Sequence, residues 1–326
     1  MKFFKSIFVF SLLALALPAF CEEYLINTLM AHTDNVNCVD FTKDGKYIYS
    51  AGYNYKIVKW KIDNSENLIY LTTHTDIING IRVNKPYGIL ASASNDVSIK
   101  LWSVDKNSFL KSVKGHSHYV NSVNFSVDGN KMVSAGSDKR IVIWNAKSPY
   151  SVISVLTGHS DIATDAVFSP KGDYIVSCGE DKTVRVWSAK TGKLLQTLSD
   201  HKDIVNKAAF SPDGKFLASA SNDGLVILWN FEKGKLSQHI IIDHKMEVKG
   251  VAFSPDSKVL ATGGADADIR LWSADDGRFI LSLVGHNETV NDVAFSPDGT
   301  MLASGSDDNS VKVWGPFDTG KLSDLR

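Results

Sequence analysis

Scarcity sets the first limits on this chain. It has only three cysteines in 326 residues, and its 35 basic and 36 acidic side chains leave a formal net charge of −1. No large field of one sign is available to condense on phosphate or anionic lipid, which argues against nucleic acid as a partner. Long apolar runs are also missing. The longest, Ile7 to Leu17, is interrupted by Ser11 and falls short of the roughly 20 apolar residues that a membrane span needs. Behind the short basic start of Lys2 and Lys5, and followed by Pro18, Ala19 and polar Glu22 and Glu23, that run has the layout of a secretory signal peptide. Residues 1–21 are therefore expected to be a signal segment, cleaved after Ala19 or Cys21, with export to a periplasmic or extracellular space and no membrane span after cleavage. A retained anchor and lipidation of Cys21 are the alternatives. Phe20 and Pro18 stand against lipidation, because a small residue and Leu are usual at those places.

Tryptophan is rare too, yet its placement is the chain's strongest signal. The seven copies, Trp60, Trp102, Trp144, Trp187, Trp229, Trp272 and Trp314, recur every 42 or 43 residues. A histidine stands 28 residues before each: His32, His74, His116, His159, His201, His244 and His286. A period in the forties means one supersecondary unit copied and stacked. No linker or composition shift interrupts it, so residues 22–326 are expected to form a single domain.

The fifth copy shows what the unit is. Val205 to Phe210 is strand-like, Ser211-Pro212-Asp213-Gly214 suits a type I turn, and Phe216 to Ser221 is a second strand. Asn222-Asp223-Gly224 makes another turn, Leu225 to Trp229 is a third strand, and Leu236 to Ile241 a fourth. Four strands leave no room for a helix, which predicts an all-β fold of four-stranded antiparallel sheets. In the third strand, residues three and one before Trp are apolar, while Lys100, Arg185 or Arg270 can lie between them and are expected to extend their charge to water. Such a sheet has two apolar faces, and radial stacking of seven sheets covers both.

His201, Ser219, Asp223 and Trp229 stand at the spacing of the His-Ser/Thr-Asp-Trp tetrad, and in this the chain resembles a seven-bladed WD40 β-propeller over residues 24 to 314. Ser50, Ser92, Ser134, Ser177, Ser219, Thr262 and Ser304 lie ten residues before each Trp. Asp96, Asp138, Asp181, Asp223, Asp266 and Asp308 lie six before it. Asn54 departs from the pattern, and as an uncharged amide it is expected to weaken the first repeat's network. The Asp of the Trp-Asp dipeptide is absent everywhere, its place held by Lys61, Ser103, Asn145, Ser188, Asn230, Ser273 and Gly315. Gly precedes the histidine only at Gly115, Gly158 and Gly285, which puts the geometry of the other turns in question.

His, Ser and Asp within reach of one another also describe a hydrolase triad, but seven copies expected inside sheets suit a structural network better. Histidines in separate blades cannot converge on a metal. His118 and His239 lie outside the pattern and are expected at the surface. Cys38 and Cys178, in non-adjacent repeats, are too far apart for a disulfide, and Cys178 fills a slot held elsewhere by Ala or Gly. Tyr24 to Met30 aligns with the fourth strand of other copies and the last repeat lacks one. Pairing of this N-terminal strand with the strand ending at Trp314 should close the ring, with Lys321 to Arg326 as the competitor for that edge.

The resemblance implies partner binding on the face carrying the turns before the first strand and between the second and third. Three sets of positions would lie there. Three after His come Asn35, Ile77, Tyr119, Ile162, Ile204, Glu247 and Thr289. Five after His come Asn37, Asn79, Asn121, Thr164, Asn206, Lys249 and Asn291. Seven before Trp come Tyr53, Asn95, Ser137, Glu180, Asn222, Ala265 and Asp307. The amides of the middle set would ring the channel entrance, either organising water or gripping a peptide backbone or sugar, with Tyr53, Tyr119, Ile77, Ile162 and Ile204 as apolar anchors. A non-catalytic scaffold for a protein or peptide, acting as a monomeric ring without a cofactor, is the expected function. Glycan binding at the channel mouth, or a propeller enzyme holding Ca²⁺ through Asn oxygens with Glu180 or Asp307, are the competing classes.

Overall fold

A computed structural model describes residues 24–62 and 64–324, so the signal segment expected at 1–21 lies outside the described residues. Seven four-stranded antiparallel sheets follow one another around a ring. Blade 1 comprises Val36–Phe41, Tyr47–Gly52, Ile57–Lys61 and Asn64–Leu71, from the axis outward. Blades 2 to 6 repeat the plan from inner strands Ile78–Asn84, Val120–Phe125, Ala163–Phe168, Val205–Phe210 and Val248–Phe253. Blade 7 has Val290–Phe295, Leu302–Ser306 and Ser310–Trp314 from the C-terminal end, and its outer strand is Leu25–Met30 from the N-terminal end. The expected closure is thus realised, with Leu25 opposite Trp314 and Met30 opposite Ser310.

The described part of the tail, up to Asp324, does not compete for that edge. After Trp314 the chain turns across the lower face, Phe317 stacks on Tyr24 with ring centroids 5.4 Å apart, and a short helix, Thr319–Asp324, follows. Thr319 Oγ1 donates to Asp256 Oδ2 of blade 6 at 2.8 Å, and Arg278 donates to the Ser323 carbonyl. No described helix is long and apolar enough to cross a membrane.

The core is distributed as clusters between neighbouring blades, each including a buried Trp and branched residues of adjoining third strands. Each sheet therefore has both faces covered, as its apolar third strand requires. Cys38 and Cys178 are buried free thiols inside two such clusters.

Candidate functional site

The tetrads close inside the blades. In blades 2, 3, 4, 5 and 7, His Nδ1 lies 2.7–3.0 Å from the Asp carboxylate and His Nε2 lies 2.7–2.8 Å from the Ser hydroxyl. The Trp indole N–H donates to that same hydroxyl, at 2.9 Å from Trp229 to Ser219. An indole only donates and a carboxylate only accepts, so the serine O–H donates to Nε2 and the imidazole carries its proton on Nδ1. The serines are fully buried. A hydroxyl so enclosed, with both roles taken, is a structural group rather than a nucleophile that meets substrate.

Two blades depart from the pattern. In blade 1, His32 Nδ1 reaches Asn54 Oδ1 at 3.1 Å, longer than in the five regular blades, and the Asn54 amide nitrogen is buried without a partner. Blade 6, expected to be intact, is broken. Arg270 stands between His244 and Asp266: its Nη1 lies 2.9 Å from His244 Nδ1 and its Nη2 is 2.6 Å from Asp266 Oδ2. His244 is left 3.5 Å from Asp266, and its buried Nε2 has no partner although Thr262 still accepts from Trp272 at 2.8 Å.

The cause lies two residues after the tetrad Asp. Ser98, Thr183 and Ser310 donate a hydroxyl to Asp96, Asp181 and Asp308 there. Blade 6 has Asp268, which cannot donate and adds a second negative charge, and the guanidinium turns in to neutralise the pair. The third-strand cations accordingly do not extend to water as expected. Lys100 and Arg185 also lean on their tetrad carboxylates, at 3.2 and 3.3 Å. Asp268→Ser combined with Arg270→Val restores the pattern of the other blades and ends one orphaned buried nitrogen. Urea denaturation should show a gain of about 1–3 kcal/mol, and an unchanged midpoint would mean that Arg270 is not what holds the tetrad open.

The upper turns are built alike in all seven blades. The residue seven before Trp donates its backbone N–H to the carbonyl three after His, as Tyr53 does to Asn35, Asn95 to Ile77, Ser137 to Tyr119, Glu180 to Ile162, Asn222 to Ile204, Ala265 to Glu247 and Asp307 to Thr289. The first and last of the three expected sets are thereby brought together within each blade. Tyr53, Tyr119 and Glu247 are exposed and the rest are half-buried. Tyr55 is a further exposed aromatic on the Tyr53 turn. His118 is exposed beside Tyr119, and His239 is exposed and stacked on Phe216.

The middle set occupies a β-bulge. In every inner strand the register slips by one residue at the position five after His, for example between Val36 and Cys38. A bulged residue has no ladder partner and its side chain is re-aimed, here at the next blade. Asn37 donates to the Ile78 carbonyl at 3.0 Å, Asn79 to Val120 at 3.0 Å, Asn121 to Ala163 at 2.8 Å, Asn206 to Val248 at 2.7 Å and Asn291 to Val36 at 3.1 Å. Thr164 does the same to Val205 through its hydroxyl. Lys249 breaks the series, its ammonium going to Asn222 Oδ1 and Glu247 Oε2 at 2.8 Å. The amides were expected to organise water or to grip a ligand with both halves of the group. One N–H of each amide fastens blade to blade, and the second, in Asn79, Asn121, Asn206 and Asn291, goes to the turn residue of its own blade.

Below this ring, residues not singled out from the sequence block the channel. Lys207 bonds Asp292, Arg82 Nε donates to Asn124 Oδ1 at 2.9 Å, and Arg82 lies 4.0 Å from Asp40. Asp40, Asp165 and Asp292 in turn accept the backbone N–H of Val83, Ala208 and Val39 in the following blades. A scatter of charges on the innermost strand, where half of the equivalent positions carry Ala, Val, Gly or Ser, was the only signal of this network in the sequence. Arg82, Asn124 and Lys207 line the space on both sides and so divide it. Above is a polar vestibule of 230 Å³. Below is a wider funnel of 630 Å³ whose wall includes Phe210, Pro170, Pro212, Pro255 and Pro297.

The family model described as WD domain, G-beta repeat matches residues 23–61, 107–145, 150–188, 192–230, 235–273 and 277–315. The chain belongs to the WD40-repeat family. Residues 62–106 are unmatched, yet there His74, Ser92, Asp96 and Trp102 close a complete tetrad, so the WD40 ring has seven blades by geometry. No individually curated protein is similar enough to match.

Proposed function

We propose that this WD40 ring is a non-catalytic scaffold that binds a protein or peptide on its upper face, acting as a monomer in the periplasm or the secreted space. One observation carries the reading: the residues repeated from blade to blade are consumed inside or between blades, whereas the solvent-facing residues of the upper turns vary around the ring, with only blades 2 and 5 carrying the same Ile and Asn pair. Rigid turns carrying different side chains are the arrangement a recognition surface needs. Exposed Tyr53, Tyr55 and Tyr119 are of the type that anchors interfaces. Export is supported by the composition of residues 1–21 alone.

A glycan is less well served. Sugar hydroxyls ask for donors as well as acceptors, and both amide N–H groups of Asn79, Asn121, Asn206 and Asn291 are occupied. The reading is tested by selecting peptides from a display library on the purified protein and measuring their affinity for Tyr53→Ala/Tyr119→Ala. A loss of tenfold or more with an unchanged melting temperature is expected. Full affinity in that variant would move the interface elsewhere, for instance to the outer strands of blades 2 and 3, where Phe109, Leu110, Val152, Ile153 and Val155 are exposed.

A further inference from the structure

We propose that the funnel at the lower mouth of the channel binds a fatty acid, with the carboxylate on Arg82 and Lys85 and the chain along the wall of blades 4 to 7. The observation behind it is that charge and apolar surface are segregated around the funnel. Eight residues after the histidine, blades 1 to 3 carry Asp40, Arg82 and Asn124, whereas blades 4 to 7 carry Val167 and three alanines. Three residues further on, at the rim, come Lys43, Lys85 and Val127 in blades 1 to 3 and a proline in each of blades 4 to 7. All of these but Lys43 line the funnel. One side is thus polar and cationic, and the other is an apolar crescent.

The polar side has donors to spare. Arg82 spends Nε on Asn124 Oδ1, while its two Nη atoms make no hydrogen bond among the described residues and Asp40 stands 4.0 Å away. The Arg82 side chain is 30% exposed against 5% for Asp40, both of whose oxygens already accept backbone N–H groups, from Phe41 and Val83. Lys85 forms no hydrogen bond or ion pair among the described residues. Lys207, the third cation lining the funnel, is spent on Asp292, and Asp165 faces the vestibule above, where it accepts from Asn124, Ala166 and Ala208. What remains is a guanidinium fork and an unpaired ammonium three residues apart on one blade. A carboxylate accepts such a fork with both oxygens, whereas a cationic head would be repelled. The crescent asks for the opposite chemistry. Lys207 aside, its side chains offer no polar group but the Ser296 hydroxyl, which is taken by Asp298, so the matching ligand carries its polarity only in its head. A space of 630 Å³ lies within the ~300–1,000 Å³ of small-molecule sites.

The experiment is calorimetric titration of the purified protein with decanoate, octanoate, decan-1-ol and decylammonium, each below micelle formation. Saturable one-site binding of decanoate is expected. Octanoate should bind about tenfold more weakly, because each buried methylene is worth up to about fourfold. Decanol should be weaker by at least tenfold and decylammonium should not bind. Lys85→Glu replaces a side chain that holds nothing in place, so it should weaken decanoate at least tenfold at an unchanged melting temperature. Arg82→Gln should do the same, and if that variant fails to fold, Lys85→Glu decides. No saturable binding of decanoate, equal binding of decanol, or indifference to Lys85→Glu would each overturn the proposal. Displacement of decanoate by acetyl-Ala-Ala-Leu with a free carboxylate at equal concentration would overturn it in favour of a protein C-terminus. The site shares no residue with the upper turns, so display-selected peptides should bind unchanged in saturating decanoate, and either reading can fail while the other stands.

Discussion

Removing residues 24–30 should cost the protein most of its stability, whereas a chain beginning at residue 24 should unfold like the full-length one. The deletion strips the outer strand from blade 7, exposes the edge of Ser310–Trp314 and takes away Leu29, buried to 1% and packed against the cluster of blades 7 and 1. Loss of a buried leucine alone costs about 2–5 kcal/mol. To this are added the ladder from Leu25 to Met30 and the bond from Lys312 to Thr28 Oγ1. The sum is a large share of the ~5–15 kcal/mol that folded domains command. Urea denaturation and protease resistance would measure it, and a synthetic peptide of residues 22–31 should restore part of the loss in trans. A truncated ring as stable as the parent would mean that blade 7 does not depend on its borrowed strand.

Acid should be the second large perturbation. Burial lowers the His32 pKa from 6.5 to about 4, and it lowers His74, His201 and His286 as well. A histidine held neutral binds its proton later than the unfolded chain does. Its stabilisation is complete above pH 6.5 and is lost as pH falls towards the folded value. For His32 alone the shift corresponds to about 3 kcal/mol. Burial would raise the tetrad carboxylates, but hydrogen bonds from the histidine and neighbouring hydroxyls more than offset it and hold Asp96, Asp181 and Asp308 well below the usual range. Their contribution, present above 3.8, disappears in a second stage at lower pH, with the same sign. Melting curves should therefore drop by about 10 °C or more between pH 7 and pH 4.5. A flat profile over that interval would show that the imidazoles titrate in the folded ring as they do in the unfolded chain.

The ring was legible because its defining residues recur at fixed spacing and the Trp indole makes the same bond to the Ser or Thr hydroxyl in all seven blades. Residues that act across copies were not. Asn37 reads as a polar start to a strand, and only the bulge shows that it fastens blade 1 to the Ile78 carbonyl of blade 2. Asp292 and Lys207 meet across the channel from non-adjacent blades, and no spacing encodes that encounter. The open tetrad of blade 6 was illegible for a third reason. Arg270 resembles Arg185 in position, and the difference rests on Asp268 standing where a hydroxyl serves elsewhere.

The way the circle is fastened also decides how it would respond to tension. Gly315 donates its N–H to the Tyr24 carbonyl at 2.8 Å, so the chain enters and leaves the closing pair of strands side by side, at the same end. A pull applied to both termini would load that ladder one rung at a time, from Leu25–Trp314 upward, like a zip rather than a lap joint. The seam that secures the ring against heat is thus the one that traction opens first.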